Sequence, residues 1–285
     1  MDPDEQTSPM VHRRQLGKEL RALRTEAGKE LKDAAEALKC DPSRISKIET
    51  VRGTAVPKEA EIHELCRLYG VTDTRTVDRL VTMLKAGQKP GWWESWTLPP
   101  HLEVLVGLEA AATTVRAWEP LLVPGLLNQP DYARAVLTSP NIHRPADIEE
   151  LAQFRAARQR LVLRDENPLE LWAIMDESVL RRPTGGSEVM REQLRHLRTM
   201  AELPNITIQI VPLSGEDNPG LAGAFTLLDF SEDPTVVYID SPAGNLYLEK
   251  ERDTRRFTNQ FDLLRATALD RKKSMALIAS AAKEI

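Results

Sequence analysis

The stretch "LKDAAEALKCDPSRISKIET", residues 31–50, constrains the fold more than any other part of the chain. Leu31, Ala34, Ala35 and Leu38 recur at i, i+3, i+4 and i+7, the spacing of one helix face. Three residues later, Asp41 stands as an N-cap and Pro42 at the first position of a second helix. In that helix Ile45 and Ile48 fall on one side, and Ser43, Arg44 and Lys47 gather on the other. Helices this short do not fold alone, so the apolar sides must dock on a small domain. With the small Ala35 where the two helices cross, the pattern is that of a helix-turn-helix. In that geometry the second helix enters the DNA major groove and residues near its N-terminus reach base edges. The free N–H groups there attract phosphate. Taken alone, the pattern fits a solvated basic face on an ordinary helical bundle equally well.

The charge distribution supports an anionic partner. Residues 13–58 hold 12 basic and 7 acidic side chains, a net of +5, and the whole chain carries −5, so the remainder sums to −10. A compact basic segment on an acidic body is a local electrostatic footprint. The 285 residues fit about two domains. Cys40 and Cys66 lie inside helical patterns with no metal-ligand spacing, and read as small buried hydrophobes in a reducing cytoplasm. No apolar run is long enough for a membrane span. The polar, acidic start "MDPDEQTSPM" is unlike a signal peptide and reads as a disordered arm over 1–12.

Five helical segments fit within 13–87. The first carries Leu16, Leu20, Leu23 and Ala27 on one face; the two above follow. The fourth carries Ile62, Leu65, Cys66 and Tyr69 and stops at Gly70. The fifth is capped by Asp73 and carries Val77, Leu80, Val81 and Leu84. "GQKPGWWESWTLPP" breaks helix and reads as a linker over 88–100, with Trp92, Trp93 and Trp96 expected to pack on a domain. Over 101–285 strands alternate irregularly with helices. Strands are predicted in "TTVRAWEP", "LELWAIMD", "ITIQIVP", "AFTLLDF", "TVVYID" and "NLYLEK". Helices are predicted in "DYARAVL" (capped by Asp131), "ADIEELAQFRAARQRLVLR", "SEVMREQLRHLRTMAE" and two closing segments. The chain therefore reads as α+β: an all-α five-helix domain, then a mixed α+β domain with a mainly antiparallel or mixed sheet.

"LGKELRALRTEAG", "LKDAAEALKCDPSRISKIE" and "ELCRLYGV" together resemble the Xre, phage-repressor-like family of helix-turn-helix regulators. The resemblance implies a sequence-specific transcription factor on a double-stranded DNA operator, bound as a homodimer. By position it implies that Pro42, Ser43 and Lys47 face bases, that Arg44 touches phosphate or base, and that Lys32 and Arg52 approach the backbone. Three positions depart from the family. Glu30 stands where Ser or Thr caps the second helix, Lys39 replaces the turn glycine, and Val51 replaces the glycine that ends the third helix. These imply an altered helix exit and weaker DNA binding. Blocks from "GLEAAATTVRAWEPLLVPGLLNQPDYARAVL" to "GLAGAFTLLDF" resemble the C-terminal domain of the WhiJ-like regulators of actinomycetes. That resemblance implies an antitoxin-like regulator with a small partner protein or a small-molecule effector. The alternative is a module that mainly sequesters that partner.

Enzyme signals are weak. The adjacent Asp176 and Glu177 point to opposite sides of an extended segment. "PTGGS" lacks the phosphate-loop lysine, no nucleophile elbow occurs, and His12, His63, His101, His143 and His196 show no ligand spacing. The expectation is no enzyme, no cofactor, no catalytic residue and no metal site. Arg155, Arg158, Arg160, Arg164, Arg181 and Arg182 read mainly as a solvated face or ion pairs with the acidic body, and otherwise as partner or ligand contacts.

Overall fold

The computed structural model describes residues 9–51, 55–98, 100–138, 145–215, 218–231, 233–241 and 244–285. It divides into two units, Met1–Ala111 and Ala112–Ile285.

The first unit holds helices α1 (Pro9–Glu26), α2 (Leu31–Ala37), α3 (Pro42–Thr50), α4 (Glu59–Leu68), α5 (Thr74–Gly87) and α6 (Pro100–Ala111). The apolar stripes read from the sequence meet in one core: Leu16 and Leu20 of α1, Ala34 and Ala35 of α2, Ile45 and Ile48 of α3, Ile62, Leu65 and Cys66 of α4, and Leu80 and Leu84 of α5. Asp41 and Asp73 cap α3 and α5 as expected, accepting from Ser43 N (2.8 Å) and Thr76 N (3.0 Å). Three features differ from the sequence reading. Helix α1 begins at Pro9, not 13, because Met10 is buried against Gly107 of α6. The segment after α5 is packed: Trp93 is buried, with its ring against Gly91 and Gly107, while Trp92 meets it edge-on at 5.9 Å and faces outward. Helix α6 carries no helical period in the sequence because Leu102, Val104, Leu105, Val106 and Leu108 spread around it and leave no apolar stripe.

The second unit carries strands β1 (Thr114–Glu119), β2 (Glu170–Asp176), β3 (Ile206–Val211), β4 (Phe225–Asp229), β5 (Val236–Ile239) and β6 (Leu246–Leu248) in one sheet of order β3-β2-β1-β4-β5-β6. The β1–β2 and β2–β3 pairs are parallel; β1–β4, β4–β5 and β5–β6 are antiparallel. The sheet is therefore mixed, and the fold is α+β. Between the strands run α7 (Pro130–Thr138), α8 (Pro145–Arg158), α9 (Arg160–Leu163), α10 (Ser178–Arg181) and α11 (Ser187–Met200), and α12 (Glu251–Thr267) and α13 (Arg271–Glu284) close the unit. One sheet face packs Trp118, Ile174, Phe225, Leu227 and Val237 on Phe261 and Leu264 of α12. The alternate residues Val115, Ala117 and Glu119 point to the other face. The single long helix expected after residue 145 is broken at Gln159, which turns its side chain to the carbonyl of Asn128. Helix α7 is capped by Gln129, whose Oε1 accepts from Asp131 N at 2.7 Å and Tyr132 N at 3.0 Å, rather than by Asp131.

Candidate nucleic-acid interface

Helix α2 ends in a pair of backbone bonds, Lys39 N to Glu36 O at 3.1 Å and Cys40 N to Ala35 O at 2.9 Å. This is the Schellman closure, and it requires Lys39 to sit left-handed, at φ 51°. The turn then delivers Asp41 as the cap of α3. With Ile45 and Ile48 sunk in the core, Pro42, Ser43 and Lys47 stand exposed on the outer side of α3, and Lys32 is exposed at the start of α2. Lys32 lies 3.1 Å from Glu30, so the acidic cap position carries its own counter-charge.

Arg44 is placed differently. Its two terminal nitrogens grip both carboxylate oxygens of Glu61 on α4, at 2.8 and 2.9 Å. That fork-to-fork pair is the strong form of a charge-assisted hydrogen bond. The pair raises the Arg44 pKa and lowers that of Glu61. Glu61 also accepts from Lys58 N at 2.7 Å, which ties the start of α4 into the same knot.

The far end of α3 is held by a second fork. Glu49 is buried and receives Arg24 of α1 at 2.6 and 2.9 Å, while Arg24 also donates to Lys29 O at 2.9 Å. Glu49 raises the Arg24 pKa through this bond. Beside the pair, burial pushes the Tyr69 hydroxyl pKa up, and that hydroxyl has no hydrogen-bond partner among the described residues. Gly17 lets α1 approach this end closely: a Cβ there would sit 2.7 Å from Ile48 O and 2.8 Å from Glu49 O. Val51 then leaves the helix left-handed, at φ 52° and ψ 38°. Arg52, expected at the DNA backbone, lies outside the described residues.

Sequence reasoning missed Glu61, Arg24, Glu49 and Gly17. The two ion pairs join residues 17 and 25 positions apart, which no local pattern signals. Gly17 did carry a sign, as an isolated glycine inside a helical pattern. The enzyme-like pair is dispersed: Asp176 accepts from Ser178 N and Asn218 Nδ2, whereas Glu177 accepts from Leu213 N and Arg181. Among the described residues, no helix is long and apolar enough to cross a membrane.

Two short crossed helices, an exposed polar face on the second and a core beneath it define a helix-turn-helix DNA-binding regulator. Residues 15–80 match a helix-turn-helix domain. Residues 102–280 match the family described as a domain of unknown function, DUF5753, and the chain belongs to that family. No curated protein and no solved structure matches the chain.

Proposed function

We propose that the chain is a cytoplasmic, sequence-specific transcriptional regulator that binds a double-stranded operator as a homodimer. Helix α3 enters the major groove with Pro42, Ser43 and Lys47 toward the bases, while Lys32 and Arg52 meet the backbone. The observation that carries this reading is the exposed Pro42, Ser43 and Lys47 row on a helix whose opposite side is fixed in the core. Arg44 serves the interface through Glu61, by setting the angle of α3. The second unit binds a small partner protein or a small effector and biases operator affinity, which requires different affinity for two states. Its resemblance to WhiJ-like regulators supports an antitoxin-like role.

Operator binding by the full chain tests the interface. Lys47→Ala is expected to cost about 1–3 kcal/mol on the specific site and to relax base preference. Arg44→Ala and Glu61→Gln are expected to weaken specific binding alike and to leave the salt slope unchanged. If Glu61→Gln instead tightens binding while Arg44→Ala lowers the slope by about one, Arg44 is a phosphate contact. The sequestration alternative predicts a stoichiometric small protein on the second unit and no operator binding by the full chain.

A further inference from the structure

The second unit holds a set of charged side chains that nothing above employs. The row Ala117, Thr226, Tyr238, Tyr247 runs across β1, β4, β5 and β6 on one sheet face. Two residues further on, Glu119 ends β1 and Asp240 follows β5 on that same face, at the same end. Asn245 fixes the sense of Asp240, because its amide donates both to Asp240 Oδ1, at 3.1 Å, and to the Tyr238 hydroxyl. This end lies at the carboxyl terminus of β1, where the sheet changes from parallel to antiparallel and later strands lie to both sides.

Tyr132 of α7 and Arg155 and Arg158 of α8 lie on the other side of the cluster, and the segment before α7 is tied by side-chain hydrogen bonds. Asn128 is buried and donates to Val123 O (2.9 Å) and Pro124 O (3.0 Å). Gln193 is buried and brackets Leu127 O and Gln129 N at 2.8 and 2.7 Å. The Tyr132 hydroxyl accepts from Val123 N at 3.1 Å. From this segment Asn128 Oδ1 holds Nη1 of Arg155 at 3.0 Å, and the buried Arg158 lies over Gly125. Exposure is graded across the cluster: Tyr132, Asn128 and Arg158 are buried, Glu119 and Arg155 half-buried, and Asp240 exposed.

Glu119 and Arg155 act on each other electrostatically without touching. Among the described residues Glu119 makes no hydrogen bond or ion pair, and the only hydrogen-bond partner of Arg155 is the neutral Asn128. Burial, reinforced by Asp240 and opposed by Arg155, pushes the Glu119 pKa up to about 7. Burial and then Arg158 push the Arg155 pKa down to about 10. Half-buried charges without a charged contact partner among the described residues call for an explanation. The arrangement offers two carboxylates on one side and a guanidinium fork on the other.

We propose that this charged cluster binds a small zwitterion of the free α-amino acid class. The ammonium group lies between Glu119 and Asp240 and relieves their mutual repulsion. The carboxylate takes the fork of Arg155. The site stands on the second unit alone; its role as the input of the regulator rests on the function proposed above.

The test is calorimetric titration and thermal melting of the full chain, without DNA, against a panel of free α-amino acids, with acetate and methylamine as half-ligands. At least one amino acid is expected to bind and raise the melting temperature, and neither half-ligand to do so at equal concentration. Glu119→Gln, close in shape, and Arg155→Gln are each expected to weaken binding at least about tenfold. Should Arg155→Gln fail to fold, Arg155→Lys keeps the charge, loses the fork, and is expected to weaken binding as well. Arg256→Gln, on α12 against the opposite sheet face, is expected to bind as the unmodified chain does. No response to any amino acid overturns the proposal. So does binding that survives Glu119→Gln and both Arg155 variants, or acetate binding as tightly as the amino acids. Binding that leaves operator affinity unmoved would overturn the sensing role and keep the site.

Discussion

Helices α1 and α4 end on Gly28 and Gly70, at φ 65° and 73°, each closed by the same pair of backbone bonds. Helices α2 and α3 pass through the same left-handed region on Lys39 and Val51, which bracket the candidate recognition helix α3, at φ 51° and 52°. A side chain in that region costs roughly 1–2 kcal/mol, and a β-branched one sits there least easily. Strain of that kind persists only where the surroundings over-determine it. Around α3 they do. Two fork-to-fork ion pairs, the sunken Ile45 and Ile48 and the close approach at Gly17 fix the helix from three neighbours. The contrast teaches that α1 and α4 stop where their own sequence stops them, whereas α3 is held in place by side chains from elsewhere.

The contrast can be broken at four positions. Gly17→Ala is expected to do most. Its methyl group meets backbone oxygens at under 3 Å, so α3 must move, at a cost of about 1–3 kcal/mol in the urea midpoint and with a loss of specific DNA binding. Gly70→Val comes next, at about 1–2 kcal/mol. No atom lies within 4 Å of an added Cβ there, so the melting shift reads the backbone preference alone. Val51→Gly is expected to raise stability by about 1 kcal/mol, since relief of the left-handed strain exceeds the entropy that glycine adds to the unfolded chain. Lys39→Gly is expected to gain less, about 0.5 kcal/mol, because lysine is not β-branched. A loss of stability in either gain variant would mean that the turn tolerates its side chain without strain.

Much of this was legible from residue order. The stripes of α1 to α5 were written at helical spacing, and the sheet strands in alternation and β-branched content. The departures at Lys39 and Val51 are visible only against the pattern of the family the segment resembles. What stayed hidden has physical causes. Helix α6 is apolar on several sides and shows no period. The break at Gln159 follows from a tertiary bond to Asn128. Arg44 reads from the sequence as a phosphate or base contact because its partner, Glu61, lies on another helix, and Glu119 carries no sequence signal because Arg155 and Asp240 reach it only after folding.

The position of β1 has one further consequence, for the order of events during synthesis. It is the first strand of its sheet to be made and one of the two central ones. Thr114 pairs with Glu170 on one side and Asp229 on the other. At about 5–20 residues per second, several seconds separate the emergence of β1 from that of β2, and longer still from that of β4. Until then β1 has no strand partner on either edge. The five-helix core, complete once α5 ends at Gly87, can close while the ribosome is still at work. The sheet must wait for the last third of the chain, and its folding is the slower, more aggregation-exposed step.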